Sequence, residues 1–409
     1  MAFPNAASPL SSTARRLLAA RFWRSIAQGA LVVDLSLYLS ALDWSGAAIG
    51  AVLSAAGIVG ALFGLAVGFA SDRVGRKPFL LAYEGLSCVC GLAAFCTSRP
   101  APLAAAIILA GFGRGANGAA GPFAPAEQAW LAETVEPAVR GSVFSLNSAL
   151  GFVGMAVGAV AAMLPALWKT SYGAAGSYRP IFLIVIAGNF VNLCILLRAS
   201  ARTGPPPAEA PANPAHERRR HENRFLWRLM GVNSLNGLSV GLTGPLISYW
   251  FAERFQIGFI VIAPVMAATF VAAALSSWFS AGLAQKSGSL NVVVWGRSAG
   301  LVLLLIFPVM PFYALAAALH ILRSALNRGT IGARQALVLN AVPDERRGLA
   351  ASLNSVSARL PQAIGPAVAG GLIGSGWFVT PFYLAAVFQA GYLFFYNRLF
   401  RATGNDDAA

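Results

Sequence analysis

Long apolar runs constrain this chain more than any other feature. A helix that crosses a bilayer needs about 20 mostly apolar residues. Roughly twelve such runs follow one another, near 25–42, 46–68, 79–97, 102–122, 142–164, 180–198, 225–250, 257–283, 291–309, 312–334, 349–373 and 377–397. Lipid offers no water to backbone N–H and C=O groups, so only helices and closed barrels span it. Barrel strands alternate apolar and polar residues, and these runs do not. The expected fold is an all-α membrane protein with twelve transmembrane helices. Only 11% of the residues are charged, against roughly 25% in a soluble domain.

The net charge of +15 would suggest nucleic acid in a soluble protein. In a membrane protein it is first weighed against orientation, because cytoplasmic loops are rich in Lys and Arg. Arg15, Arg16, Arg21 and Arg24 precede the first run, and Arg73, Arg76 and Lys77 follow the second. Arg198, Arg202, Arg218, Arg219, Arg220, Arg224 and Arg228 surround the gap after the sixth. The opposite side receives only Arg99, Lys169, Arg179 and Arg254. Both termini are therefore expected in the cytoplasm, at an inner or plasma membrane. The basic balance needs no nucleic-acid partner. The first run shows no small-residue cleavage site of a signal peptide.

The chain divides in two. Residues 1–24 read as a cytoplasmic segment, 25–198 as a six-helix bundle and 199–224 as a Pro-rich, then basic, linker. A second six-helix bundle follows at 225–397, with a cytoplasmic tail at 398–409. The halves repeat. RGSVFSLNS at 140–148 and RGLAASLNS at 347–355 both open the fifth run of their half, 207 residues apart. The same offset pairs Gln128 with Gln335 and Gly158 with Gly365. Two pseudo-symmetric bundles with a site between them are a transporter design.

The loop GFASDRVGRKPF, 68–79, joins the second and third runs, and GLAQKSG at 282–288 is its counterpart. Gly68, Asp72, Arg73, Gly75, Arg76 and Lys77 match a G-x-x-x-D-R-x-G-R-[RK] signature. This resembles the signature loop of the major facilitator superfamily, a family of secondary transporters. GRGANGAAGPF at 113–123 resembles the arginine-bearing fourth-helix motif of its proton-coupled drug and metabolite exporters, with Arg114 in the arginine position. The fifth-span motif departs: GFVGMAVGAV, 151–160, lacks the proline, and a Gly-Pro occurs in the second half at 365–366. The resemblance implies that the loop is a gate, with Asp72 pairing with Arg76 and with the positive end of the eleventh helix. Simple anchoring by positive charge is the blander alternative.

Ionisable side chains inside a bilayer are costly and are functional candidates. They are Asp34, Glu84, Arg114, Glu127, Arg297, His320, Arg323, Arg328, Arg334 and Arg359. The resemblance implies that the first, fourth, seventh and tenth spans line a central cavity. Asp34 and Arg114 would then face it, either as a proton-coupling site or as a structural ion pair. Tyr38 shares the helical face of Asp34. Asn233, Asn236, Arg323, Asn327 and Arg328 are the expected substrate contacts. Arginine matches carboxylate and phosphate bidentately, which favours an anionic or zwitterionic substrate. The alternative is that the tenth-span arginines are structural. Gly244-Pro245 should kink the seventh span.

The four cysteines, Cys88, Cys90, Cys96 and Cys194, have no zinc-like spacing, and two of the three histidines lie in the linker, so no metal or other cofactor is expected. No G-x-x-x-x-G-K-[ST] loop occurs. The expected function is secondary active transport of a small molecule by alternating access, as proton-coupled export. Uptake or exchange of a small organic anion is the alternative, and a non-transporting membrane sensor a remote one. No enzymatic activity is expected. The partners are substrate, protons and the lipid bilayer, and the chain is expected to be a monomer.

Overall fold

A computed structural model describes residues 10–113, 124–136, 140–200, 216–340 and 347–406. Every regular element among them is helical. The first half contains α1 (Ser12–Ala41), α2 (Gly46–Val74), α3 (Arg76–Cys96), α4 (Pro100–Ala110), α5 (Ala124–Glu133), α6 (Arg140–Ala161), α7 (Lys169–Gly176) and α8 (Ile181–Leu197). The second contains α9 (His216–Thr243), α10 (Ile247–Phe255), α11 (Phe259–Ser287), α12 (Ser289–Ile306), α13 (Tyr313–Gly329), α14 (Ile331–Asn340), α15 (Arg347–Gly374) and α16 (Thr380–Asp406).

The twelve-span architecture accounts for these pieces. Several spans are single helices. Others are broken pairs: α4 with α5, α9 with α10, and α13 with α14. Among the described residues, five helices are long and apolar enough to cross a membrane by length and composition alone, and α7 with α8 forms a sixth candidate bent by 76°. Of the remaining spans, α1 carries buried charge, and those of α4 with α5, α9 with α10 and α13 with α14 are broken. The outer faces present Trp278, Phe279, Trp295 and Val387, each at least two-thirds exposed. Lipid covers such a surface at no cost, whereas water would not.

Local chemistry sets the ends. Ser11 Oγ accepts from the Ala14 N–H at 3.1 Å, and Ser45 Oγ from the Ala48 N–H at 3.2 Å. These cap α1 and α2. Gly75 separates α2 from α3 with φ 94° and ψ 156°, and Gly288 separates α11 from α12 with φ 80° and ψ 141°. A side chain rarely adopts these angles. The matching turns carry the repeat from sequence into geometry. The expected kink at Gly244-Pro245 is a break: α9 ends at Thr243 and α10 begins at Ile247. The stretch HERRRHENR, expected as loose linker, forms the first turns of α9.

Small residues bring the helices together. A Cβ added at Gly158 of α6 would stand 2.0 Å from the Ile26 carbonyl oxygen of α1. One added at its repeat partner Gly365 would stand 2.1 Å from the Gly241 carbonyl carbon of α9. Between halves, α2 crosses α15 and α6 crosses α11. At the end opposite the termini, a Cβ on Gly50 would lie 2.1 Å from the Pro366 carbonyl oxygen, and one on Gly46 would lie 2.6 Å from that of Gly370. Ser54 Oγ accepts from the Ala367 N–H at 2.8 Å. Backbone contact therefore closes that end.

Candidate functional site

Buried charge in the first half has a centre that sequence reading missed. Arg21 and Arg24 look like basic flanks before a span. In the structure α1 begins at Ser12, and both arginines lie inside the bundle, Arg24 only 3% exposed. Arg24 Nε donates to Glu84 Oε1 of α3 at 2.8 Å, and its Nη1 donates to Glu127 Oε2 of α5. A cavity of about 30 Å³ adjoins this cluster, lined by Arg24, Gln28, Tyr83, Ser87 and Asn189. That is room for about one water. The available signal was the pair of unmatched acids, Glu84 and Glu127, which call for a cation on a neighbouring span.

The loop residues fall into two groups. Gly68 lies within α2, and the side chains of Asp72 and Arg73 lie outside what the structure describes, so the expected Asp72 pairing does too. Arg76 Nη1 pairs with Glu133 Oε1 at the end of α5, at 2.6 Å. Lys77 Nζ donates to the Leu197 and Ala199 carbonyls at 2.8 and 2.7 Å. These partners all belong to the first half. Lys77 covers carbonyls that α8 leaves open at its C-terminus.

On α1, Asp34 is fully buried, and neither carboxylate oxygen has a hydrogen-bond partner among the described residues. Arg114 lies outside those residues. Tyr38, one turn on, packs its ring on Tyr178 and Phe182, with centroids 6.1 and 5.8 Å away. Its expected substrate face is thus occupied by aromatics of its own half. The second half reaches this region directly: Ser248 Oγ of α10 donates to the Val32 carbonyl at 3.2 Å.

On α13, Arg323 Nη2 donates to Thr243 Oγ1 at 3.5 Å, where α9 breaks, and its Nε has no partner among the described residues. Arg328 stacks over Phe270 of α11 at 5.1 Å and Phe152 of α6 at 5.9 Å. It therefore sits where the two halves meet. Its Nη1 is also unpartnered among the described residues. Both guanidiniums are buried. His320, one turn before Ser324, lies between Phe251 and Phe307.

The other expected contacts face elsewhere. Asn327 points at α12, where a Cβ on Gly300 would stand 2.7 Å from its Oδ1. Asn236 Oδ1 accepts from Arg297 Nη1, so a neighbouring helix already engages it. Asn233 is buried on α9 with a bonding partner. The structure thus brings Arg323 and Arg328 to the interior, and leaves Asn236 and Asn327 within the second bundle. Among the described residues no group of His, Cys, Asp and Glu could hold a metal ion.

Comparison with known proteins gives consistent findings. The profile of the Major Facilitator Superfamily matches residues 17–234 and 229–406. The fold is similar to that of a crystallised D-xylose-proton symporter, with a TM-score of 0.73 at 14% identity over 93% of this chain and 96% of that one. It is similar to a bacterial homologue of the human lysosomal transporter Spinster, solved inward-facing, with a TM-score of 0.71 at 13% identity over 96% and 97%. It is also similar to the nucleoside transporter NupG, at 0.67 and 15% identity over 96% and 99%. No curated protein matches the sequence.

Proposed function

The chain belongs to the major facilitator superfamily, and from that premise we propose that it moves a small organic anion or zwitterion across a membrane by proton-coupled alternating access. Its relatives are multi-pass membrane transporters, and the described fold is theirs. Two bundles, 25–198 and 225–397, rock about the region between α1 and α13. The backbone contacts of α2 with α15 close one end, and release of those contacts opens it. Placing the basic ends in the cytoplasm puts that closed end outside.

One observation carries the substrate class. Arg323 and Arg328 are buried on α13, each with a guanidinium nitrogen unmatched by the described residues. A buried charge without a partner is costly, and a carboxylate or phosphate offers the bidentate acceptor that arginine fits. Asp34 supplies the proton site. It is the sole carboxylate of α1, and neither of its oxygens meets a hydrogen-bond partner among the described residues. The resemblance of the loop and the fourth-span motif supports export as the direction.

The test is ligand-induced stabilisation of the purified protein. Succinate, citrate and benzoate are compared with the lipophilic cation tetraphenylphosphonium. A ligand that binds the folded state raises its apparent stability. Stabilisation by the anions, lost in Arg323→Ala, is expected. Stabilisation by tetraphenylphosphonium alone, kept in Arg323→Ala, would move the reading to cation export.

A further inference from the structure

The interior of the second half repeats the polar centre of the first with the charges changed. Arg297 of α12 is buried, and its Nη1 donates to Asn236 Oδ1 of α9. Its Nε donates to Thr330 Oγ1 at 3.4 Å, and Gln389 Nε2 of α16 donates to its carbonyl at 3.0 Å. The guanidinium lies over the Tyr392 ring at 5.1 Å, and that ring packs on Tyr396 with centroids 5.1 Å apart. Arg334 of α14 is within electrostatic reach of Arg297 and Tyr396. The offset of 207 that relates the halves aligns Arg334 with Glu127. In the first half Arg24 meets two carboxylates. In the second, two arginines gather and none of the described residues there supplies a carboxylate.

The unfilled bonding capacity at this point is of one kind. Arg334 Nη1, Tyr392 Oη and Tyr396 Oη are buried without hydrogen-bond partners among the described residues. A guanidinium and two phenols can all donate. Two like charges and unpartnered buried donors call for an acceptor that carries negative charge. Between 225 and 400 the sequence has only Glu253, Asp344 and Glu345 as acids. Glu253 is on α10, at the far end of its half from α14, and the other two lie outside the described residues.

We propose that Arg297, Arg334, Tyr392 and Tyr396 together bind a small inorganic anion of the size and charge of chloride. All four residues belong to the second half, Arg297 to α12, Arg334 to α14 and the two tyrosines to α16, whereas Arg328 sits where the two halves meet. The bound anion replaces the carboxylates that the first half provides from its own chain. Arg334 is half-buried.

The experiment is the melting temperature of the purified full chain in sodium chloride and in sodium gluconate at constant ionic strength. The wild type is expected to gain a few degrees in chloride, saturably. Arg334→Gln should remove the gain, and Arg323→Ala should keep it. Tyr396→Phe, which preserves the ring packing, should raise the chloride midpoint about tenfold by deleting one donor to a charged acceptor. Equal melting in the two salts would overturn the proposal. So would a chloride gain that survives Arg334→Gln but disappears in Arg323→Ala. A wild type insensitive to chloride that becomes sensitive in Asp344→Asn or Glu345→Gln would overturn it too, by showing that the chain's own carboxylate takes the anion's place.

Discussion

Arg24 and Glu84 form a fully interior ion pair, with Nε of the first 2.8 Å from Oε1 of the second. Glu127 takes the other face of the same guanidinium. One side chain of α1 thereby ties together α3 and α5. Removing it leaves two buried carboxylates facing less positive charge than they need.

Arg24→Ala should therefore destabilise the folded protein by about 3–5 kcal/mol, the cost of breaking a buried pair by deleting one partner. Arg24→Lys should cost less, because it keeps the charge while losing the second directed bond. Detergent-extracted yield and melting temperature of the two variants check this ordering. Equal stability of Arg24→Ala and the wild type would mean that the cluster contributes nothing.

Gly75→Ala should cost about 1–3 kcal/mol, since φ 94° with ψ 156° is a conformation that side chains avoid. Gly288→Ala should behave alike, because its turn has φ 80° and ψ 141°. Space is not the issue at either residue, for an added Cβ would meet nothing within 4 Å. The readout is thermal unfolding, and a loss at one position without a loss at the other would break the structural equivalence of the two turns.

Gly50→Val tests how the two halves close. A Cβ there would sit 2.1 Å from the Pro366 carbonyl oxygen, so α2 and α15 must separate to admit it. The variant should populate conformers open at the end opposite the termini. Spin-label distances between the Gly46 and Gly374 ends should lengthen. Unchanged distances, with a folded protein, would show that this crossing does not govern closure.

Much of the architecture was readable in the sequence. Apolar runs long enough to span lipid gave the helices, and RGSVFSLNS with RGLAASLNS gave the repeat. Gly244-Pro245 gave the break in the seventh span, because proline removes a backbone donor. Other features were hidden for a physical reason. Arg21 and Arg24 stand at the edge of an apolar run, where arginine usually reaches water. Only the approach of α3 and α5 makes them interior, and no local pattern encodes that approach. Asn236 has the chemistry of a substrate contact, yet Arg297 on another helix engages it. The break at Thr330 between α13 and α14 has no proline to mark it. Arg323 and Arg328 were legible as candidates because charge inside an apolar run is conspicuous.

The most direct test of proton-coupled transport is proton movement in liposomes carrying the purified protein and a trapped pH indicator. Substrate anion, identified by the stabilisation experiment, is added outside in the absence of a membrane potential. The wild type should change the internal pH as the anion moves. Asp34→Asn should still exchange labelled for unlabelled anion but leave the internal pH constant, since an amide cannot take up or release the proton. An Asp34→Asn protein that moves protons as the wild type does would contradict the account.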